Sequence, residues 1–150
     1  MYISAKADYA LRALVTLVVE DRPLTADALA RRQGIPANYL ENILIDLRRA
    51  GILVNRRGPE GGYRLTRPAA EVAAADVMRA IEGPLAEVRG LRPEATEYEG
   101  AAVHLRALWV AVRASLRGVL ERVSLADLAA GRFPAPVRRL LADDEAWRPH

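Results

Sequence analysis

Between Gly34 and Thr66 the apolar period of the chain switches from that of a helix to that of a strand pair. This switch limits the fold more than any other feature. The stretch reads GIPANYLENILIDLRRAGILVNRRGPEGGYRLT. Leu40, Ile43, Leu44 and Leu47 fall at i, i+3, i+4 and i+7, one stripe of a helix. Arg48 and Arg49 occupy its last turn, where cations favour the helix dipole, and Gly51 suits the positive φ of a helix stop. Ile52, Leu53 and Val54 then read as a short strand, and Tyr63-Arg64-Leu65 as a second. Between them, Arg56-Arg57-Gly58-Pro59-Glu60-Gly61-Gly62 is a turn by composition.

The preceding residues complete a motif. Thr25 to Gln33 predicts a short helix with Thr25 as N-cap and Gly34 as its stop. Gly34-Ile35-Pro36 then makes a tight turn between two helices. Taken alone, Thr25 to Gly51 also fits an ordinary helical hairpin with solvated arginines. The Arg/Gly hairpin directly after it points instead to a winged helix-turn-helix. In such a unit the second helix enters a DNA major groove, and the hairpin lies along phosphates or reaches a minor groove.

Three strings carry a family resemblance: Asn38-Tyr39-Leu40-Glu41-Asn42-Ile43-Leu44, Leu47-Arg48-Arg49-Ala50-Gly51-Ile52-Leu53, and Arg57-Gly58-Pro59-Glu60-Gly61-Gly62-Tyr63-Arg64-Leu65. With the opening Ser4 to Leu14 and with Asp76 to Gly83, they closely resemble the Rrf-two family of bacterial regulators, the IscR/NsrR/CymR type. The likeness runs to about Leu85 and returns more loosely in the long C-terminal helix. It implies DNA contacts from Asn38, Tyr39, Glu41 and Asn42 at the start of the recognition helix, and from Arg57 and Gly58 in the wing. Asn42 stands where some relatives have Gln, and a shorter amide still pairs with adenine from a closer helix. Glu41 can accept from cytosine N4. Arg56 and Arg64 are expected on phosphates, and Arg57 in a narrow minor groove, where the negative potential favours arginine.

At 150 residues, half of them apolar, the chain is one domain's worth with enough material for a core. No uninterrupted apolar run approaches the roughly 18 residues of a membrane span. Lys6, Asp8 and Arg12 interrupt any secretory pattern at the N-terminus. The expected location is the cytoplasm, with no membrane partner. The net charge is +3, and it is uneven: residues 1–67 hold 11 Lys and Arg against 7 Asp and Glu, and residues 68–150 hold 11 against 12. The positive excess lies where a polyanion would be met, although a small excess is common in any domain.

The chain contains no cysteine. Disulfides, thiolate metal sites and a cysteine redox switch are thereby excluded. In cluster-binding relatives three cysteines fall in the region corresponding to residues 85–100, so iron–sulfur sensing does not transfer and no cofactor is expected. Some relatives use an acidic residue near Asp8 as a cluster ligand, but a carboxylate in a first helical turn has its own reason to be there. His104, preceded by Glu97 and Glu99, could in principle hold a metal; a helix-surface histidine is the commoner case, and no metal site is assigned. No catalytic constellation emerges. Ser4, Ser115 and Ser124 lack a nucleophile motif, and Gly58 to Gly62 lacks the ending of a phosphate loop.

The remaining elements follow in order. Ser4 caps a first helix to about Glu20, with Ala7, Ala10, Leu11, Leu14, Val15 and Val18 as its buried stripe. A helix from Ala74 to Glu82 turns Val77, Ala80 and Ile81 inward. Residues 85–100 read as an irregular loop. Ala101 to Val123 predicts one helix of about 23 residues, roughly 35 Å long. In it Leu105, Trp109, Val112, Leu116, Val119 and Val123 repeat at alternating spacings of four and three, a coiled-coil seam. Packing within its own chain is the alternative, but the seam is regular and the family dimerises this way. Ser124 to Asp127 is a modified capping box for a short helix ended by Gly131. Val137, Leu140 and Leu141 make one more turn, and no partner is assigned to Trp147.

The expected fold is therefore mainly α with a small β-hairpin wing. It has a winged helix-turn-helix over residues 1–83, a loop over 84–100, dimerisation helices over 101–131 and a tail over 132–150. The expected function is that of a homodimeric DNA-binding regulator, a repressor on a palindromic operator, with an effector, small molecule or protein, left unassigned. A protein that modulates a partner protein, with DNA binding secondary, is the competing reading.

Overall fold

The computed structural model describes residues 2–149. The chain runs α1 (Ala5–Glu20), α2 (Ala26–Gln33), α3 (Ala37–Arg49), β1 (Leu53–Arg56), β2 (Gly62–Leu65), α4 (Ala74–Glu82), α5 (Leu105–Leu120), α6 (Leu125–Ala130) and α7 (Ala135–Leu141). Single 3-10 turns lie at Ala69–Glu71, Pro93–Ala95, Gly100–Ala102 and Asp144–Trp147.

Local chemistry sets the first helices. The Ser4 hydroxyl accepts from the Ala7 N–H at 3.1 Å, and that of Thr25 from Ala28 at 3.2 Å, satisfying amides that a helix start leaves unpaired. Gly34 ends α2 in the left-handed conformation, φ 62°. On α3 the expected stripe holds: Leu40, Ile43, Leu44 and Leu47 are all fully buried. They meet Ala10, Leu14 and Leu17 of α1, Leu29 of α2 and Val77 of α4 in one core. The stripe of α1 is rotated from its expected position. Ala13, Thr16 and Leu17 are buried with Ala7, Ala10 and Leu14, whereas Leu11, Val15 and Val18 are half-buried. Thr16 can turn inward because its hydroxyl donates to the Arg12 carbonyl at 2.8 Å and accepts from the Gln33 amide at 2.8 Å.

The wing pairs Leu53 with Leu65, Val54 with Arg64, Asn55 with Tyr63 and Arg56 with Gly62. The strand predicted over Ile52–Val54 is thus displaced to Leu53–Arg56, and Arg56 and Gly62 belong to the ladder rather than to the turn. The hairpin also gains a third partner. Leu24 bridges Tyr63, through Tyr63 N–H to Leu24 C=O at 2.7 Å and Leu24 N–H to Tyr63 C=O at 3.2 Å. This ties the wing to the start of the helix-turn-helix.

The C-terminal half departs most from expectation. The long helix is α5, 16 residues instead of about 23, so about 24 Å. It starts late because Gly100, at φ 59°, opens a 3-10 turn. It ends early because residues after Leu120 pair elsewhere: Ala74 N–H donates to the Val123 carbonyl at 2.8 Å, and Leu125 N–H to that of Val72 at 2.9 Å. That bridge returns α6 to the head, where Leu125 is fully buried and Leu128 packs against the core. The segment expected to dimerise as a whole therefore divides, and α6 belongs to the head's own packing. The capping box forms as read: Asp127 N–H donates to the Ser124 hydroxyl, and Ser124 N–H to the Asp127 carboxylate.

Residues 84–100 are more ordered than their composition suggests. Val88 and Leu91 exchange two backbone hydrogen bonds around Arg89 (φ 54°) and Gly90 (φ 77°), a tight two-residue hairpin. Thr96 is fully buried, its hydroxyl donating to the Pro93 carbonyl at 2.7 Å. In the tail, Val137 is buried, Leu140 and Leu141 are exposed, and the Trp147 indole N–H donates to the Leu141 carbonyl at 2.8 Å.

Candidate nucleic-acid interface

The start of α3 is unlike those of α1 and α2. Pro36 offers no capping side chain, and no acidic residue lies in the first turn. Tyr39 and Leu40 N–H groups both donate to the Pro36 carbonyl, while those of Ala37 and Asn38 find no acceptor among the described residues. A helix N-terminus with free amides and no carboxylate favours an anion such as a backbone phosphate. Asn38, Tyr39, Glu41 and Asn42 are all exposed here, opposite the buried stripe. Burial of Leu40, Ile43, Leu44 and Leu47 fixes which way those four side chains face.

Tyr39 also has a partner within the chain. Its ring meets that of Tyr9 edge to face, centroids 5.7 Å apart at 85°. The Arg12 guanidinium lies 5.1 Å from the Tyr9 ring centre, hydrogen-bonds Gln33 of α2 and approaches Asp8 at 3.5 Å. Asp8 thus serves as an (i, i+4) partner of Arg12. Lys6 joins Asp46 at 2.7 Å, fastening α1 to α3. Glu20 is hydrogen-bonded by Arg32 of α2, which holds its carboxyl below the usual carboxylate range. These ties among α1, α2 and α3 were not found in the sequence, because their members lie 12 to 40 residues apart.

In the wing, Arg56, Arg57 and Gly58 are exposed. Arg56 and Arg57 make no ion pair among the described residues. Gly58 sits at φ 111° in open space, so backbone conformation demands glycine there. Gly61 and Gly62 are demanded by space. A Cβ on Gly61 would lie 2.3 Å from the Arg56 carbonyl oxygen, and one on Gly62 2.6 Å from the Leu24 carbonyl carbon. Arg64 differs from the other wing arginines. It is half-buried beside Arg22 and Pro23, and its Nε is enclosed without a partner among the described residues. Only its terminal nitrogens can reach outward.

The six seam residues separate. Leu105 is exposed; Trp109, Val112, Leu116 and Val119 are half-buried along α5; and Val123 lies beyond the helix, 5% exposed, within the head. Val123 therefore drops out of the seam, because the bridge to Ala74 draws it inward. No residue of α5 is buried within its own chain. Val103 and Leu108, absent from the seam as read, are about half exposed beside it. Trp109 donates its indole N–H to the Tyr98 hydroxyl at 3.1 Å, tying the 84–100 segment to α5.

A family model described as Rrf2, iron-dependent transcriptional regulator, matches residues 3–131. The chain belongs to the Rrf2 family. Among its relatives, Rv1287 of Mycobacterium tuberculosis, which carries a provisional assignment as an HTH-type transcriptional regulator, is 46% identical over 96% of this chain and 90% of its own. The HTH-type transcriptional regulator CymR of Bacillus subtilis is 33% identical over 87% of this chain and 91% of its own. The structure of B. subtilis CymR, a global cysteine regulator, superposes with a TM-score of 0.74 at 31% identity, covering 87% of this chain and 98% of that one. That of T. potens IscR gives 0.70 at 25% identity, covering 99% and 97%. The chain is thus an Rrf2-type winged-helix transcriptional regulator, and the family's members are regulators rather than enzymes. No helix among the described residues is long and apolar enough to cross a membrane.

The family description names iron, and the residues of this Rrf2 protein do not fit an iron–sulfur cluster. The donor set lacks any thiolate. In residues 84–100 Glu94 is paired with Arg113 and the Thr96 hydroxyl with the Pro93 carbonyl. Among the described residues no group of three or more His, Asp or Glu could hold a metal ion, and His104 with Glu97 and Glu99 does not form one.

Proposed function

We propose that this Rrf2-family regulator acts in the cytoplasm as a homodimeric repressor that covers a palindromic operator. One observation carries the reading: the uncapped, carboxylate-free start of α3 and the unpaired arginines of the wing tip are both exposed, while Leu29, Ala30, Leu40, Ile43, Leu44 and Leu47 of the helix-turn-helix are buried in the core and fix the direction in which that start faces. Asn38, Tyr39, Glu41 and Asn42 take the major-groove edge, with the Ala37 and Asn38 amides against a phosphate. Arg57 reads the minor groove, and Arg56 and Arg64 meet phosphates. The second copy binds along α5, whose apolar face no residue of its own chain buries fully. A two-fold pair then matches the symmetry of a palindrome.

The test begins with genome-wide mapping of bound sites, to obtain the operator. A binding series on that operator and on random DNA follows, at two salt concentrations. Arg57→Ala should cost about 1–3 kcal/mol on the specific site and flatten preference at the outer base pairs. Arg64→Ala should weaken specific and random DNA alike and lower the salt slope by about one. An equal loss on both DNAs for Arg57→Ala would make Arg57 only a phosphate contact. No loss at all would remove the wing from the interface and favour a protein partner.

A further inference from the structure

Where α4, the segment after it and α5 meet, the surface dips into a concavity of about 510 Å³. Four guanidinium groups line it: Arg79 from α4, Arg92 from the segment, and Arg113 and Arg117 from α5. Two carboxylates face them. Glu94 pairs with Arg113, whose side chain is only 22% exposed. Glu121 is shared, its Oε1 accepting from Arg79 and, at 2.9 Å, from Arg117. Arg92 makes no ion pair among the described residues. Four positive charges therefore line one dent with a single lining carboxylate, Glu94, while Glu121 holds Arg79 and Arg117 from outside the lining, and Pro84 and Leu85 wall another side. Residues 68–150 as a whole are slightly acidic, so this local excess is not the general character of that half.

We propose that this concavity binds a compact polyanion, a small molecule carrying two or more carboxylate or phosphate groups, as the effector of the protein. Planar guanidinium forks match carboxylate and phosphate oxygens alike, two N–H groups to two oxygens. A ligand with two negative charges neutralises the excess, and Glu94 and Glu121 compete with it for the same donors. The site also spans the joint that matters for control. α4 carries Val77 into the core under the reading head, α5 carries the seam, and the Arg79–Glu121 ion pair ties one to the other. A ligand that draws Arg79 and Arg117 onto itself loosens that tie and lets α5 shift against the head. The effect on DNA rests on the proposed function; the binding does not.

The experiment is calorimetric titration of the full chain with citrate and, separately, with pyrophosphate, the ionic strength held constant with sodium chloride. The expected result is saturable binding of one probe molecule per chain. Arg92→Ala breaks no ion pair, leaves the fold intact and should weaken binding about ten-fold or more, the loss of one charge-assisted contact. Arg113→Ala should weaken binding as well, although it also releases Glu94 from its ion pair. Glu94→Gln should tighten it by removing a competitor, whereas Glu145→Gln, an equal change in charge on the tail, should not. Binding of one probe alone supports the site and identifies the group it prefers. No saturable binding of either probe at millimolar concentration overturns the proposal, as does binding indifferent to Arg92→Ala and Arg113→Ala. If the probes bind and wild-type DNA affinity is the same with and without them, the effector role is overturned while the anion site stands. Absence of DNA binding in the probe-free protein would count against the proposed function instead.

Discussion

Adding one methyl group at Gly62 tests how the wing is held. Gly62 has φ 134°, a conformation that L side chains rarely adopt, and its added Cβ would lie 2.6 Å from the Leu24 carbonyl carbon and 2.7 Å from its oxygen. The backbone strain alone is worth about 1–3 kcal/mol. Relieving the contact means moving Leu24 away from β2. The two hydrogen bonds between Leu24 and Tyr63 then open, at about 1 kcal/mol each. Gly62→Ala should therefore cost about 3–5 kcal/mol. For a chain of this size each kcal/mol lowers the melting temperature by about 2–4 °C, so the fall should be about 6–20 °C. The control is Gly34→Ala, which adds the same atom at φ 62° with nothing within 4 Å. That change carries only the left-handed penalty of about 1–2 kcal/mol. The assay is thermal unfolding by circular dichroism, with amide exchange at Leu24 and Tyr63 to detect opening confined to the wing. The reasoning is refuted if Gly62→Ala melts no lower than Gly34→Ala and both amides stay protected.

Other outcomes are expected. Trp109→Glu or Leu116→Glu puts a charge into the α5 seam, where it is costly to desolvate; light scattering should find monomers with much weakened DNA binding, and a folded dimer would place the interface elsewhere. Acid should loosen the surface ion pairs. Hydrogen bonds from Arg32 to Glu20 and from Arg117 and Arg79 to Glu121 depress both carboxyls below the ordinary value of 4.5. Their contribution is present above pH 4.5 and is lost as the pH falls below it through the folded values. Thermal melts across that window should be less pH-dependent in Glu20→Gln and Glu121→Gln than in wild type. Protein purified without oxygen should be colourless and free of iron and sulfide, and visible charge-transfer bands on such a preparation would contradict the donor chemistry.

The elements from Ser4 to Glu82 could be read from the chain because their signals are local. The caps at Ser4 and Thr25, the stops at Gly34 and Gly51, the stripe of α3 and the span of α4 each depend on residues within a few positions of one another. That Asn38, Tyr39, Glu41 and Asn42 face outward was legible for the same reason, because Leu40, Ile43, Leu44 and Leu47 face a core; their assignment to DNA came from the family resemblance. What the tertiary structure alone decided are the contacts between segments far apart in sequence. Thr16 turns inward with its hydroxyl bonded to the Arg12 carbonyl of its own helix and to Gln33, a partner seventeen residues away. Gly62 is required by its own positive φ and also by Leu24, nearly forty residues earlier, a demand the turn it adjoins does not show. The apolar repeat running on to Val123 describes a longer helix than exists, because the stretch from Val72 to Ala74 recruits Val123 and Leu125 into the head. Periodicity records which face of a segment is apolar, but not which neighbour covers it. That choice is made by backbone hydrogen bonds whose partners have no mark in the local pattern.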